Sequence, residues 1–350
     1  MTQPQSISRD DPQLNPNTLH DFHKAKRGPK NVPEIVMAST GQQQQQQQES
    51  VPKNPGHPYT QTKNIQFDFF DQKVSNAPFG YEHFVSLPPK YDEDPEASWP
   101  LVLFLHGAGE SQRERNESFV SVRHGIPKVI LCYDKLKSNE EPAIDIPLAP
   151  RLRKSKQTKH GDKSVEPVPA EVCTLLAENF ITVTPSLNMD WGYGWNASIL
   201  SALLDEIVDR YRVDVDRIHV TGFSMGGYGT WELALHTPNR FATVMPICGG
   251  GDHLRAGHIK HIPHWVHHGD QDDIIPVQAS LRVVEALEKA NAKEVEFTRY
   301  PDLMHDSWTA AYNNPQVYRW MIGRKRTVKG DEEGVPADNK VVLSGETRGA

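Results

Sequence analysis

The sequence predicts an α/β protein: a mostly parallel central sheet with an antiparallel hairpin at its N-terminal end and helices on both faces. Three observations predict it. From Pro100 onward, short runs of continuously apolar residues recur, the pattern of strands buried on both faces. Helix-spaced apolar repeats separate most of those runs. Upstream of Pro100 the pattern alternates apolar and polar instead, as half-exposed antiparallel strands do.

The upstream strands come first. Ile65-Gln-Phe-Asp-Phe alternates, and Tyr81-Glu-His-Phe-Val-Ser-Leu follows a turn at Ser75-Asn76-Ala77-Pro78, so the two read as a hairpin. The buried strands are then Leu101 to Leu105, Phe180 to Thr184, Ile218 to Thr221, Val244 to Ile247, His264 to His268 and Val295 to Tyr300. Between them lies a helix over Ala197 to Tyr211, where Ile199, Leu200, Leu203, Leu204, Ile207, Val208 and Tyr211 share one face. A second helix spans Val277 to Ala290, with Leu281, Val284, Leu287 and Val283 as its inward candidates.

This domain accounts for roughly 59–325 of the 350 residues. Before it, 1–58 carries the Gln42 to Gln48 tract among Pro, Asn and charged residues. Without apolar periodicity such a segment cannot offset the entropy of ordering, so disorder is expected. A flexible tail is expected over 326–350, and 111–171 reads as a polar insertion whose basic stretch at Arg151 to Lys159 is a solvated loop or a partner patch.

A net charge of −7 gives no electrostatic reason to bind nucleic acid. No apolar run reaches the roughly 18 residues of a membrane span, and no basic segment leading into an apolar one opens the chain. Cys132, Cys173 and Cys248 are odd in number and contain no C-x-x-C pair, which fits a reducing compartment. A cytoplasmic protein acting on a small molecule is the expectation.

Chemistry enters at Gly222-Phe-Ser224-Met-Gly226, a G-x-S-x-G match. The pattern alone arises by chance in about one chain in ten of this length. Its setting removes that reading: Arg217 to Thr221 is a strand ending at the motif, and the helix of Tyr228 to Leu235 leaves it. Such an elbow exposes a serine hydroxyl above the sheet. A serine alcohol needs a histidine base, and the base needs an acid to fix its tautomer. After an elbow of this kind the order is Ser, acid, His, at successive strand ends. Asp270, Asp272 and Asp273 follow the strand at His264, and His305 follows the strand at Val295. Asp272 is preferred among the three, and Asp302 or Asp306 would break the order. The oxyanion that forms on an attacked carbonyl needs two backbone donors. Met225, after the nucleophile, supplies one, and Ala108 in His106-Gly-Ala-Gly109 supplies the other.

LVLFLHGAGE, GFSMGGYGTWELA, PICGGGD, HGDQDDIIPV and HDSWTAAYNNPQVYRWM resemble the dienelactone hydrolase and phospholipase/carboxylesterase branch of the α/β-hydrolases, over about Phe79 to Met321. That resemblance implies Asp272 as the acid, through the family pattern G-x-x-D-x-x-V-P with Ile275 at the Val position, and His305 as the base, in H-D-x-W. It implies ester or thioester hydrolysis through an acyl-enzyme, with no metal and no organic cofactor. The tails and the enlarged insertion depart from the family, so the substrate is least specified there. Two other readings of the same scaffold are a catalytically silent binding module and a peptidase of the oligopeptidase type; the latter adds a gating domain for which this chain has no room.

The remaining signals are weaker. Trp191, Gly192, Tyr193 and Trp195 follow a strand end, where aromatics either stack on substrate or cap the core. Trp308, one turn beyond His305, has the same two readings, while Trp231 reads as core. Trp191 and Trp308 are the candidate substrate contacts. His258, His261, His264 and His267 recur every third residue and tempt a metal reading. A strand sends such residues to opposite faces, which argues against one. Gly249-Gly-Gly251 lacks the lysine of a phosphate loop and reads as a bend at a strand end.

Overall fold

The computed structural model describes residues 60–62, 80–112, 117–144, 146, 166–189 and 194–326. Eight strands form one sheet: β1 (Thr60–Thr62), β2 (Glu82–Ser86), β3 (Trp99–Leu105), β4 (Ile181–Ser186), β5 (Val213–Phe223), β6 (Thr243–Ile247), β7 (His264–Gly269) and β8 (Val295–Tyr300). Their spatial order is β1-β2-β4-β3-β5-β6-β7-β8. β2 runs antiparallel to both β1 and β4, and every pairing from β4 through β8 is parallel. The antiparallel edge is therefore present, but β2 pairs with Thr60–Thr62, while Ile65 to Phe69 lies outside the described residues.

Among the described residues, seven α-helices accompany the strands: α1 (Gly125–Lys137), α2 (Ala170–Ala177), α3 (Ala197–Arg210), α4 (Met225–His236), α5 (Gln278–Lys289), α6 (Trp308–Tyr312) and α7 (Pro315–Ile322). β3 shows why the sheet needs cover on both sides. Leu101, Leu103 and Leu105 enter one core with residues of α3, α4 and α5. Val102 and Phe104 enter a second core with residues of α1, α2 and α7. A period-two strand that is apolar at every position feeds two cores at once.

α3 follows its sequence pattern closely. Leu200, Leu203, Leu204 and Ile207 are buried, and the Asn196 side chain caps the start by accepting from the Ile199 N–H. Burying each of those side chains contributes about 1.5–3 kcal/mol. On α5 the inward residues are Val283, Val284 and Leu287, with Ser280 one turn earlier, while Leu281 is only half-buried. The segment read as a polar insertion holds α1, whose Ile126, Val129, Ile130, Cys132 and Tyr133 are buried. Its apolar face was obscured by the charged residues flanking it and by Pro127, which is tolerated in the first turn of a helix. The basic stretch at Arg151 to Lys159 and the Gln tract lie outside the described residues.

Candidate active site

The parallel strands deliver their C-terminal ends to one edge, and the expected residues converge there. Ser224 stands between β5 and α4 with φ 55° and ψ −119°, a left-handed conformation that costs a non-glycine residue of order 1–3 kcal/mol. Its N–H is held by the Ile247 carbonyl at 2.9 Å. The turn closes against β3: a Cβ on Gly226 would sit 1.9 Å from the Leu105 carbonyl oxygen. No side chain fits there, which is the physical content of the second glycine of the motif.

His305 sits in the loop after β8. Its Nε2 lies 2.9 Å from Ser224 Oγ and its Nδ1 lies 2.8 Å from Asp272 Oδ2. The two loops that carry Asp272 and His305 are pinned together, with the Asp270 N–H on the Tyr300 carbonyl and the Gln271 N–H on the Leu303 carbonyl. They approach so closely that a Cβ on Gly269 would meet the carbonyl oxygens of Leu303 and Met304, each at 2.3 Å.

Asp272 is distinguished from its neighbours by its partners. Oδ1 accepts from the N–H groups of Ile274 and Ile275, both at 2.9 Å. Oδ2 faces His305 at 2.8 Å and His268 at 3.1 Å. Burial pushes the carboxyl upward, but the hydrogen bonds from His268 and His305 outweigh it and hold the group well below the usual carboxylate range. Asp270 instead pairs with Arg299 at 2.7 Å, Asp273 and Asp302 are exposed, and Asp306 caps α6 by accepting from Thr309.

Ala108 opens a short 3-10 helix, Ala108–Glu110, directly after β3. Met225 is the first residue of α4, where a backbone N–H has no partner within its own helix and the helix dipole is positive. Both residues pack on the same core. The loop between them and β3 is anchored by His106, which is fully buried. His106 Nδ1 bonds the Gly107 carbonyl at 2.8 Å and Nε2 accepts from the Leu187 N–H at 3.0 Å. That arrangement defines a neutral imidazole, and burial lowers its pKa to about 4. Trp195 donates to the His106 carbonyl at 3.2 Å and meets the His106 ring edge-on at 4.8 Å. Trp195 thus supports the loop. Trp191 lies outside the described residues, with Gly192 and Tyr193.

Trp308 stacks on Phe223 at 4.4 Å and stands edge-on to the His305 ring at 5.4 Å. It therefore borders the serine–histidine pair while serving the core beneath the elbow. Beside it lies a polar group with no separate signal in the sequence: Glu110, Arg123 and His124 are all buried. Arg123 donates to His124 Nε2 at 3.2 Å, and Glu110 Oε1 is 3.7 Å from that nitrogen. Burial pushes the Glu110 carboxyl up to about 7, against the opposing charge of Arg123.

The evenly spaced histidines do not share a site. His261 bonds the Pro238 carbonyl at 2.8 Å, His264 stacks on Trp231, and His267 meets the Tyr300 hydroxyl at 3.1 Å. Among the described residues, the group with metal-ligand spacing is Cys248, Asp272 and His305, whose ligand atoms lie within 4.8 Å of one another. Asp272 and His305 are already engaged with each other, and burial holds the Cys248 thiol in its protonated form. No helix among the described residues is long and apolar enough to cross a membrane.

Comparison with known proteins bears on the fold. A thermostable esterase of known structure superposes with a TM-score of 0.53 at 26% identity, covering 75% of this chain and 64% of that one. The phospholipase/carboxylesterase family model matches residues 192–314, which contain the elbow, Asp272 and His305. The chain has the α/β-hydrolase fold. A bifunctional acetylxylan esterase/xylanase of Neocallimastix patriciarum is 30% identical over 80 residues. That match covers 23% of this chain and 12% of that protein, so the chain spans a small part of that relative's length.

Proposed function

We propose that this α/β-hydrolase cleaves a carboxylic ester or thioester through an acyl-enzyme on Ser224. One observation carries the proposal: the unbroken relay from Ser224 Oγ to His305 Nε2 at 2.9 Å and from His305 Nδ1 to Asp272 Oδ2 at 2.8 Å. Asp272 remains ionised and keeps the proton of His305 on Nδ1, so Nε2 is free to accept.

In the proposed cycle Ser224 Oγ attacks the acyl carbon and passes its proton to His305 Nε2. The N–H groups of Ala108 and Met225 receive the oxyanion. The intermediate collapses as the bond to the leaving group breaks, and His305 returns the proton to the departing alcohol or thiol. Water then attacks the acyl carbon, giving its proton to His305. A second collapse releases the acid, and the proton returns to Ser224. The cycle uses no metal and no organic cofactor. Trp308, beside the relay, is the candidate contact for the acyl or alcohol portion.

The test is turnover of p-nitrophenyl acetate, together with labelling by a fluorophosphonate. Ser224→Ala is expected to reduce kcat by several orders of magnitude with the fold intact, and to abolish the label. An unlabelled wild-type protein would favour a silent binding module instead. Competition of the label by esters, thioesters and peptides separates the hydrolase readings from one another.

A further inference from the structure

The side of Asp272 away from His305 holds a second histidine. His268, near the C-terminal end of β7, has a side chain with no exposure, as does Asp272. Its Nε2 faces two acceptors, Asp272 Oδ2 at 3.1 Å and the Ile275 carbonyl at 2.8 Å. Neither offers a proton, so Nε2 must carry one. On the other side of the ring, Nδ1 lies 2.8 Å from Ser280 Oγ. Ser280 has one hydroxyl proton, and it is donated to the Gly249 carbonyl at 2.9 Å. With that proton on the Gly249 carbonyl, Ser280 accepts from Nδ1, which then carries a proton as well. Satisfying all four contacts gives the ring two protons and a positive charge, a rare state for a fully buried histidine and one that a partner carboxylate makes tolerable.

Resting on the serine-hydrolase reading above, we propose that His268 is a positioning residue for the reaction: a buried imidazolium that grips Asp272 from behind and tempers its charge as felt by His305. Asp272 then stands between two imidazole rings, with both carboxylate oxygens fully engaged. Facing Asp272 are His305 in the loop after β8 and the protonated thiol of Cys248 after β6, on which Asp306, just before α6, acts in turn, while Ser280 from α5 faces His268 as the proton acceptor. The positive charge of His268 opposes the gain of a second proton by His305. It thereby keeps the base available at lower pH, in the way that neighbouring like charges do.

Two measurements on the full chain test this. The first is independent of activity: nitrogen-15 spectra of histidine-labelled protein, with His268 assigned by its loss in His268→Gln, should show a bonded proton on both ring nitrogens at neutral pH. They should do so in wild type and in Ser224→Ala alike. A single protonated nitrogen overturns the proposal whether or not the protein proves to be an esterase. The second is the pH profile of kcat on p-nitrophenyl acetate.

In His268→Leu, kcat should fall at least tenfold with KM little changed, and the acid limb should move about one unit toward higher pH. His268→Gln, which retains a donor toward Asp272 but no charge, should regain much of kcat while its acid limb stays displaced. Ser280→Ala, which leaves the reacting groups untouched, should displace the limb in the same direction. If the Leu variant does not fold, the Gln and Ala variants decide the question. Acid limbs coincident with wild type in both would reduce His268 to a packing residue.

Discussion

Replacing Asp272 by Asn removes one charge and almost no volume, so it isolates the electrostatics of the relay. Every lone pair of the carboxylate used in the structure meets a donor: Ile274 and Ile275 N–H on Oδ1, and the rings of His305 and His268 on Oδ2. A carboxamide must turn its NH2 toward one of those pairs. Facing the backbone, it sets donors against donors that cannot move. Facing the rings, it forces His305 to give up the proton on Nδ1 and carry it on Nε2, where Ser224 then finds a donor in place of a base. Hydrogen bonds to a charged group are worth about 1.5–3 kcal/mol each, so losing two costs on the order of 3–6 kcal/mol of stability. The wrong tautomer should lower kcat by about 10^4, equivalent to about 5.5 kcal/mol in the barrier. Steady-state kinetics on p-nitrophenyl acetate, with circular dichroism to verify folding, read both effects. Asp273→Asn, at an exposed neighbour, should stay within about twofold of wild type. A folded Asp272→Asn enzyme retaining a tenth of wild-type kcat, or a larger loss in Asp273→Asn, would refute the assignment of the acid.

Gly226→Ala would place a methyl group 1.9 Å from the Leu105 carbonyl oxygen, a backbone-to-backbone contact between α4 and β3 that leaves no flexible side chain to yield; a loss of more than about 3 kcal/mol in chemical denaturation is expected. Glu110 has its carboxyl raised to about 7 in the fold, above the roughly 4.3 of an unfolded chain. Its contribution is therefore favourable below the unfolded value and lost as pH rises toward 7. Glu110→Gln should gain stability relative to wild type between pH 4 and 8, by at most about 4 kcal/mol; an unchanged difference across that range contradicts this. His219, His264 and His267 are buried, and burial lowers each pKa to about 3. Unfolded chains bind protons on these groups below about 6.5 while the fold does not. The melting temperature should accordingly fall steeply on acidification from pH 6.5, and His264→Phe, which keeps a ring against Trp231, should soften that slope.

Much of the architecture was legible because each buried strand is a continuous apolar run bounded by turn residues. β3 through β8 and the helices α3 and α5 could be located this way. The elbow was legible for a stronger reason: its glycines answer to backbone contacts under 3 Å, so their identity is dictated by sterics. α1 was missed because its apolar residues are embedded among charges and a proline, and burial of that face is supplied by partners distant in sequence. Trp195 could be placed at the correct edge, yet whether it served substrate or scaffold depended on the His106 carbonyl, 89 positions away in the chain.

The sequence alone determined the class of fold, the order of Ser224, Asp272 and His305 at successive strand ends, and the glycines that let those segments approach, since local pattern and turn chemistry act over a few residues. The tertiary structure decided which aspartate meets His305, what holds the loop after β3, and that Glu110, Arg123, His124 and His268 are enclosed beside Ser224, His305 and Asp272. These depend on which loops meet at the strand ends and on how many donors and acceptors each buried group finds there. A one-dimensional spacing contains neither quantity, because both arise only when segments far apart in the chain exclude water together.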